Sequence, residues 1–463
     1  MTWAKALLLA LFFNTLISCQ KNEPRELDLL LTGANVVDVE NDTILTGLSV
    51  GIRNDTIRFV KELAPGDLPR SKRVIDLKGK YLIPGLWDNH VHFRGGDTLI
   101  GENKDLLKLF LAYGITTVRD AGGDINLSVL QWRKQIQDGI LMGPRIFTSG
   151  PKLDGLKPAW PGSISIDSEG DVVNALDSLQ SLDVDFVKFY DGSLKAELFY
   201  ATIEEAEKRK LKTTGHMPMS ASIEKAAKLG LDGSEHMYYV LKSCSPLADS
   251  LTALDLGYGM IPEIERTYDP EVAQSLFSEL SEEGMFVTPT LFISKTLSEI
   301  LDTDHEQDSL RKFIGEGIQS TYQRRIDNAR KARERGSDMR SKVLKRGMQM
   351  IRAMSDSGMT ILAGSDCGAF NSFVYPGESL HGELRMLEQS GLSPAEALKA
   401  SVINGPAFFG LQDYYGSVSS GKVGDLIVLE ENPLSATKNL QTMSWLIRKS
   451  NAFSRSELVD DLK

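Results

Sequence analysis

Apolar and polar residues alternate in the β manner through the first part of the chain. LLLTGANVVDV (29–39), TGLSVGIRNDTIRFV (46–60) and RVIDL (73–77) are broken by Gly, Asn and Asp, which mark turns, so the pattern predicts a small antiparallel sheet. From Tyr81 the texture changes to short apolar runs separated by stretches of helical spacing, the βαβ rhythm of a parallel sheet. The candidate strands are YLIPGLWDNHVHF (81–93), GITTVRD (114–120), PRIFTSG (144–150), DFVKFYD (185–191), KTTGHM (212–217), GSEHMYY (233–239), FVTPTL (286–291) and TILAGSD (360–366). These are enough strands to close a (β/α)8 TIM-like barrel, which places the chain in the α/β class. An open doubly wound sheet is the rival, but no Gly-rich phosphate fingerprint follows the first strand.

After the last candidate strand, SLHGELRMLEQSG and SPAEALKASVINGPAFFG have helical spacing, with Ser393 placed as an N-cap and Pro394 in the first turn. GSVSSGKVGDLIVLEENPL then returns to β character. The simplest organisation is a β-sandwich domain split between residues 27–82 and 415–463, with a barrel domain, 83–414, inserted between its halves. The charged connection from Ser294 to Ser357 reads as a solvated helical hairpin packed on the barrel.

The first residues change the picture of location. Lys5, the apolar run Ala6–Phe13 and Leu16-Ile17-Ser18-Cys19 have the layout of a secretory signal, and the apolar part is shorter than the roughly 20 residues that span a bilayer. Leu-Ile-Ser-Cys resembles the lipobox of bacterial lipoproteins. That resemblance implies a signal over 1–19, lipidation of Cys19, a tether over 20–26, and a protein held to the bacterial cell envelope through its lipid. Cys244 and Cys367 are too few for a disulfide framework. The net charge of −11 argues against nucleic acid as a partner, and nothing in the residues sets an oligomeric state.

The chemistry is concentrated in few residues. The chain holds only 6 histidines, and two of them, His90 and His92, are one residue apart in a candidate strand. Residues two apart on a strand point to one face, so both imidazoles can meet one point. His216 ends the fifth candidate strand, His236 falls in the sixth and Asp366 ends the eighth. In a barrel those strand ends face one mouth. Neutral imidazoles with a carboxylate suit zinc and related metals. Lys188 is the odd member. Either it sits at the rim in an ion pair with Asp185 or Asp191, or CO2 converts it to a carbamate able to bridge two metals.

These residues lie within a longer set of motifs: Ile83–His92 (IPGLWDNHVH), Gly114–Asp120, Gly143-Pro144-Arg145 with Ser149-Gly150, the Lys188 strand, Gly233–His236 (GSEH), Thr288-Pro289-Thr290 and Gly364-Ser365-Asp366. His381-Gly382-Glu383-Leu384, Gly391–Leu398 and Gly421–Leu426 follow. In order and spacing the chain resembles the amidohydrolase superfamily, especially the imidazolonepropionase-like enzymes and metal-dependent Xaa-Pro dipeptidases. The resemblance implies two divalent metal ions, with zinc the metal expected. His90, His92 and Asp366 would bind the more buried ion and His216 and His236 the more exposed one, with Lys188, carboxylated by CO2, bridging them together with a hydroxide.

It further implies that a metal-bound hydroxide cleaves a C–N amide bond in a small molecule such as a dipeptide, an N-acyl amino acid or a cyclic amide, with Asp366 as proton shuttle. Lactonase or esterase activity at the same metals is the alternative. A non-catalytic envelope binding protein would have lost ligand positions that are all present here. Tyr190, Tyr238 and Tyr239 follow ligand positions and can either contact substrate or pack at the rim. Arg119 is a candidate partner for a substrate carboxylate, or else pairs with Asp120 or Asp124, and His381 is a candidate substrate-facing or ligand-supporting residue. His305 reads as solvated and Cys367 as small packing. Where many relatives follow the fifth-strand histidine with a small residue and then His or Tyr, this chain has Met217-Pro218, so a pocket contact used elsewhere is missing.

Overall fold

The fold is taken from a computed structural model, which describes residues 26–64 and 66–462. The signal, Cys19 and the tether up to residue 25 lie outside the described residues. Among the described residues no helix is long and apolar enough to cross a membrane.

All eight expected barrel strands form, and all run parallel. Leu86–Val91, Ile115–Asp120 and Arg145–Thr148 pair in sequence, as do Val187–Phe189, Thr213–Gly215, Gly233–Glu235, Phe286–Thr288 and Thr360–Ile361. Two seams close the ring. On one side Asp185 N donates to Thr148 O at 2.9 Å, and Leu153, just beyond the third strand, pairs with Phe189. On the other, Asn89 N donates to Ala363 O at 3.0 Å, Asp366 N to His90 O at 2.6 Å and His92 N to Cys367 O at 2.9 Å. The second seam brings the first strand and the eighth-strand loop together, and with them three of the expected ligands.

Gly364 permits that approach. A Cβ there would stand 2.7 Å from His90 Cβ and 2.6 Å from Thr288 Cγ2, closer than side chains tolerate. Asp88 locks the same seam from below by accepting from Ser365 N at 2.9 Å and Ser365 Oγ at 2.6 Å.

Both chain ends contribute strands to one eight-stranded sheet. It is mixed rather than antiparallel as the alternation suggested. Leu27–Asp38 pairs antiparallel with Thr43–Arg53 but parallel with Ser71–Asp76 and with Tyr81–Pro84, which pairs antiparallel with Leu426–Leu429. Alternation along a strand reports which residues share a face, not the direction of the neighbour. Its consequence here is that the sheet lies between two cores. Leu82, Leu426, Val428 and Ile447 join a small core of the sheet's own, while Ile83, Ile427, Leu429 and Leu446 face the barrel's. Arg448 ties the two units. It pairs with Asp425 at 2.9 Å and donates to Thr116 O at 3.1 Å and Gly143 O at 2.7 Å.

The connection after the seventh strand is helical, through Leu291–Ser298, Gln323–Glu334 and Met339–Asp356. It is not merely a solvated hairpin. Arg325, Met339, Arg340, Val343 and Leu344 turn inward and build one wall of the cavity over the barrel mouth. Charge density along a helix marks one exposed face, and it is silent about what the other face covers.

Candidate metal centre

Asp88-Asn89-His90-Val91 lies in a strand buried along its whole length, with His92 buried just past its end, so each polar side chain must find a partner. The two imidazoles point to one spot, their Nε2 atoms 3.3 Å apart. Asp366 Oδ1 lies 3.3 Å from His92 Nε2 and 3.6 Å from His90 Nε2. The ligand atoms of this trio all fall within 4.8 Å of one another. His236 joins through Nε2, 4.0 Å from Asp366 Oδ2, and the His216 and His236 ring centroids are 4.7 Å apart.

Each of the four histidines has its Nδ1 engaged away from this point. His90 Nδ1 meets Glu235 at 2.6 Å, His92 Nδ1 the carbonyl of Gly122 at 2.8 Å, His216 Nδ1 Asp191 at 3.1 Å, and His236 Nδ1 Thr290 Oγ1 at 2.6 Å. A carboxylate or a carbonyl can only accept, so the proton sits on Nδ1 in the first three rings and the Nε2 lone pair faces inward. Burial disfavours the charged form of His90, His92 and His236, whose pKa values all lie below the ordinary imidazole value. Burial alone would raise Asp366, but His90, His92 and His236 hold its carboxyl well below the usual carboxylate range. The backbone is left-handed at His236, Thr290 and Asp366, with φ of 64°, 50° and 54°. Such conformations cost non-glycine residues about 1–3 kcal/mol each and persist where surrounding bonds impose them.

Lys188 lies beneath. It is buried, and its Nζ has no hydrogen-bond partner. Burial, with Arg119 adding repulsion, lowers its pKa to about 8. The rim ion pair considered from sequence does not form, because Asp185 is taken by Arg133 and Thr148 N, and Asp191 by His216 and Tyr239. Four inward Nε2 atoms, one carboxylate and an orphaned buried amine form a donor set that fits divalent ions of the zinc type.

Above this floor opens a cavity of about 460 Å3, into which His92, His216, His236 and Asp366 face. Of the aromatic candidates, Tyr190 and Tyr238 line it, and Tyr190 stacks on His216 at 4.3 Å between ring centroids. Tyr239 does not. It is fully buried, with its hydroxyl 2.9 Å from Asp191 and 2.8 Å from Tyr258, behind His216. Arg119 is likewise no substrate contact and does not pair with Asp120 or Asp124. It lies 1% exposed under the site, donating to Asn89 O at 2.5 Å and to Glu235 at 2.6 Å, because a strand-two side chain pointing inward meets the barrel interior before the mouth. His381 is also displaced from the expected role. Its helix, Glu378–Gln389, packs outside the barrel, and its Nε2 donates to Tyr113 O at 2.9 Å. His305 is not solvated, since it stacks on Phe373 at 3.7 Å and meets Asp308 at 2.8 Å.

Several residues of the site were not singled out by sequence. Glu235 precedes His236 in the GSEH motif, and its position on the inward face of the strand was readable there. Burial would raise it, but Arg119, Lys188 and His90 hold its carboxyl well below the usual range. Asn371 donates to Asp366 Oδ1 at 2.8 Å, and Arg325 donates to Asn371 Oδ1 at 3.0 Å. Arg94 and Trp160 also line the cavity. No local pattern marks these last four.

The Amidohydrolase family model matches residues 81–448. Ochratoxinase of Aspergillus niger is 23% identical over 432 residues, covering 78% of this chain and 72% of that protein. Adenine deaminase 1 of Jannaschia sp. (strain CCS1) is 27% identical over 167 residues, 32% of this chain, and the match spans only 27% of that protein's length. Among solved structures, a Xaa-Pro dipeptidase with methionine bound in its active site is similar in fold, with a TM-score of 0.68 at 19% identity over 92% of this chain and 99% of that one.

Proposed function

The chain belongs to the amidohydrolase family, a family of metal-dependent hydrolases, and we propose that it hydrolyses the C–N amide bond of a small molecule at a dinuclear centre held by His90, His92, Lys188, His216, His236 and Asp366. The observation that carries this reading is that all four histidines have Nδ1 engaged by a partner, while the ligand atoms of His90, His92 and Asp366 lie within 4.8 Å of one another and His216 and His236 face the same cavity. The dipeptidase and ochratoxinase likenesses are compatible with an amide as substrate. When bound, divalent metal supplies a water activated near neutral pH and polarises the scissile carbonyl.

The protein's own residues then have separable tasks. Lys188, buried and unpartnered with its pKa lowered to about 8, gives up its proton more readily than an exposed lysine and is placed to react with CO2 and add a carbamate to the donor set. Asp366 is held ionised and is aimed by Asn371, so it can take a proton from the attacking water and deliver it to the leaving nitrogen. The water's oxygen ends on the acyl carbon as the C–N bond breaks, and the amine departs with the proton. Tyr190 and Tyr238 stand in the wall, where a hydroxyl can bond the substrate. The lipid anchor read from Cys19 would place this chemistry at the bacterial cell envelope.

The test is metal analysis joined to a substrate screen. Protein purified without chelator should carry close to two equivalents of transition metal. Dialysis against a chelator should abolish hydrolysis of dipeptides or N-acyl amino acids, and zinc with bicarbonate should restore it. Less than about half an equivalent of metal with no gain on reconstitution would overturn the reading.

A further inference from the structure

A second cavity, of about 340 Å3, lies over the ends of the first three barrel strands. Arg94 and Gly95 reach it from beyond the first strand, Asp124 from beyond the second, and Lys152 and Trp160 from beyond the third, while Arg324 comes from the 294–357 connection. It shares Arg94 and Trp160 with the cavity above the metal centre, so those two side chains stand between the two spaces. None of the six candidate metal ligands lines it.

Lys152 is 2% exposed, and its Nζ has no hydrogen-bond partner. Buried lysines ordinarily find partners, as Lys242 does by donating to the carbonyls of Met219 at 2.7 Å and Ala221 at 2.6 Å. Arg94 is buried beside it, donating through Nε to Ala369 O at 2.8 Å. Arg94 Cζ lies 4.2 Å from the Trp160 ring centroid, Lys152 Nζ 5.1 Å and Arg324 Cζ 5.4 Å, so three cations gather round one indole. Among the described residues no carboxylate lies within 4.0 Å of any of these three charged groups. Asp124 is the one acidic residue of the lining, and its Oδ1 accepts from Gly95 N at 2.7 Å. Burial, followed by the charge of Arg94, holds the Lys152 amine well below the ordinary lysine value, and an anion beside it would favour its charged form again. With that ligand in place, three cations against one carboxylate leave two positive charges to be matched, in a chain where 63 acidic residues outnumber 52 basic ones.

We infer that this cavity is a second ligand site, separate from the metal centre, which takes a phosphate-type dianion on the Lys152 ammonium and the guanidinium groups of Arg94 and Arg324. Guanidinium forks match pairs of phosphate oxygens, and a lysine serves the same group as a point charge. Donors carried by three separate segments suit a tetrahedral oxyanion, which offers oxygens in several directions. A monoanion would leave one of the two charges unmatched. The inference does not depend on which bond the metal centre cleaves.

Inorganic phosphate and glycerol 3-phosphate, titrated into the metal-loaded full chain by calorimetry at about pH 7.5, are mainly dianions, and acetate is the monoanion for comparison. At least one phosphate compound is expected to bind with a Kd below about 1 mM and at least about tenfold more tightly than acetate. Tighter binding of glycerol 3-phosphate identifies a phosphomonoester as the ligand, and tighter binding of inorganic phosphate identifies the free ion. R324A and K152M are each expected to weaken binding at least about tenfold while keeping the parent's metal content. R324A changes an exposed residue that does not line the metal cavity, so it reports on the site even where K152M fails to fold. Phosphate binding unchanged in R324A places the anion on the metal ions and overturns the site. Acetate binding as tightly as both phosphates, or neither phosphate binding below about 1 mM, also overturns it. Loss of metal from R324A together with phosphate affinity overturns the separation of the two sites.

Discussion

Glu235 Oε2 lies 2.6 Å from His90 Nδ1, with neither side chain exposed to solvent. The other carboxylate oxygen of Glu235 takes Arg119 Nη2 at 2.6 Å and Thr214 Oγ1 at 2.7 Å. One carboxylate thus sets the tautomer of a metal-facing imidazole and neutralises the arginine buried beneath it. Glu235→Gln keeps the volume and removes the charge. Metal affinity should fall about 10–100-fold, measured by competition with a chromophoric chelator. Stability should drop by about 3–5 kcal/mol in urea unfolding, because Arg119 is left buried without its counter-charge. Replacing both Arg119 and Glu235 by Leu should recover part of the stability and none of the affinity.

Lys188→Ala should lose most metal at the exposed pair of ligands while retaining the fold. The amine makes no hydrogen bond whose loss would be felt elsewhere, so circular dichroism should match the parent. Metal content should fall toward one equivalent or less, and activity should fall with it. Full metal content and activity in this variant would remove Lys188 from the centre. In the parent, reconstitution in buffer freed of CO2 should lower metal uptake, and bicarbonate should restore it.

His381 gives the fold a pH dependence away from the site. Burial lowers its pKa from 6.5 to about 4, with the Tyr113 carbonyl offsetting part of that shift. The folded state binds its proton less readily than the unfolded one. The contribution of the neutral ring is therefore complete above the unfolded value near 6.5 and is lost as pH falls toward 4. It amounts to roughly 3 kcal/mol at the 1.36 kcal/mol of each pKa unit. Urea-derived stability should decline across that window, and the decline should be shallower in His381→Leu.

Gly364→Ala tests the seam that brings Asp366 to His90 and His92. The added methyl meets His90 Cβ at 2.7 Å and Thr288 Cγ2 at 2.6 Å, both in packed strands. A destabilisation of about 1–3 kcal/mol is expected from overpacking. Metal affinity should fall further than in variants of equal stability loss in the split sheet, because the two strands that must part are those carrying the ligands.

The grouping of the candidate residues at one end of the barrel was legible in the sequence, and for a definite reason. His90, His92, Lys188, His216, His236 and Asp366 each end or occupy a short apolar run, and a parallel barrel sends every such strand end to one mouth. Strand periodicity and topology therefore sufficed to group residues up to 276 positions apart. The same logic failed for Arg119, Tyr239 and His381. Each was near a ligand in sequence, but depth along the strand and the tilt of a following helix decide whether a side chain reaches the cavity or the interior. Arg94, Trp160, Arg325 and Asn371 were not legible at all, since they come from loops and from a helical insertion with no periodic signature.

What the sequence determined alone was the list of elements and which candidate residues stand at the ends of the strands, because period-two and period-3.6 patterns are properties of neighbours along the chain. The tertiary structure decided the partners: Glu235 for His90, Asp191 for His216 and Thr290 for His236. Those relationships depend on distances between strands and on the path of the connections, which local pattern does not contain. The strands set which side chains meet at the barrel mouth, and the connections set what covers them.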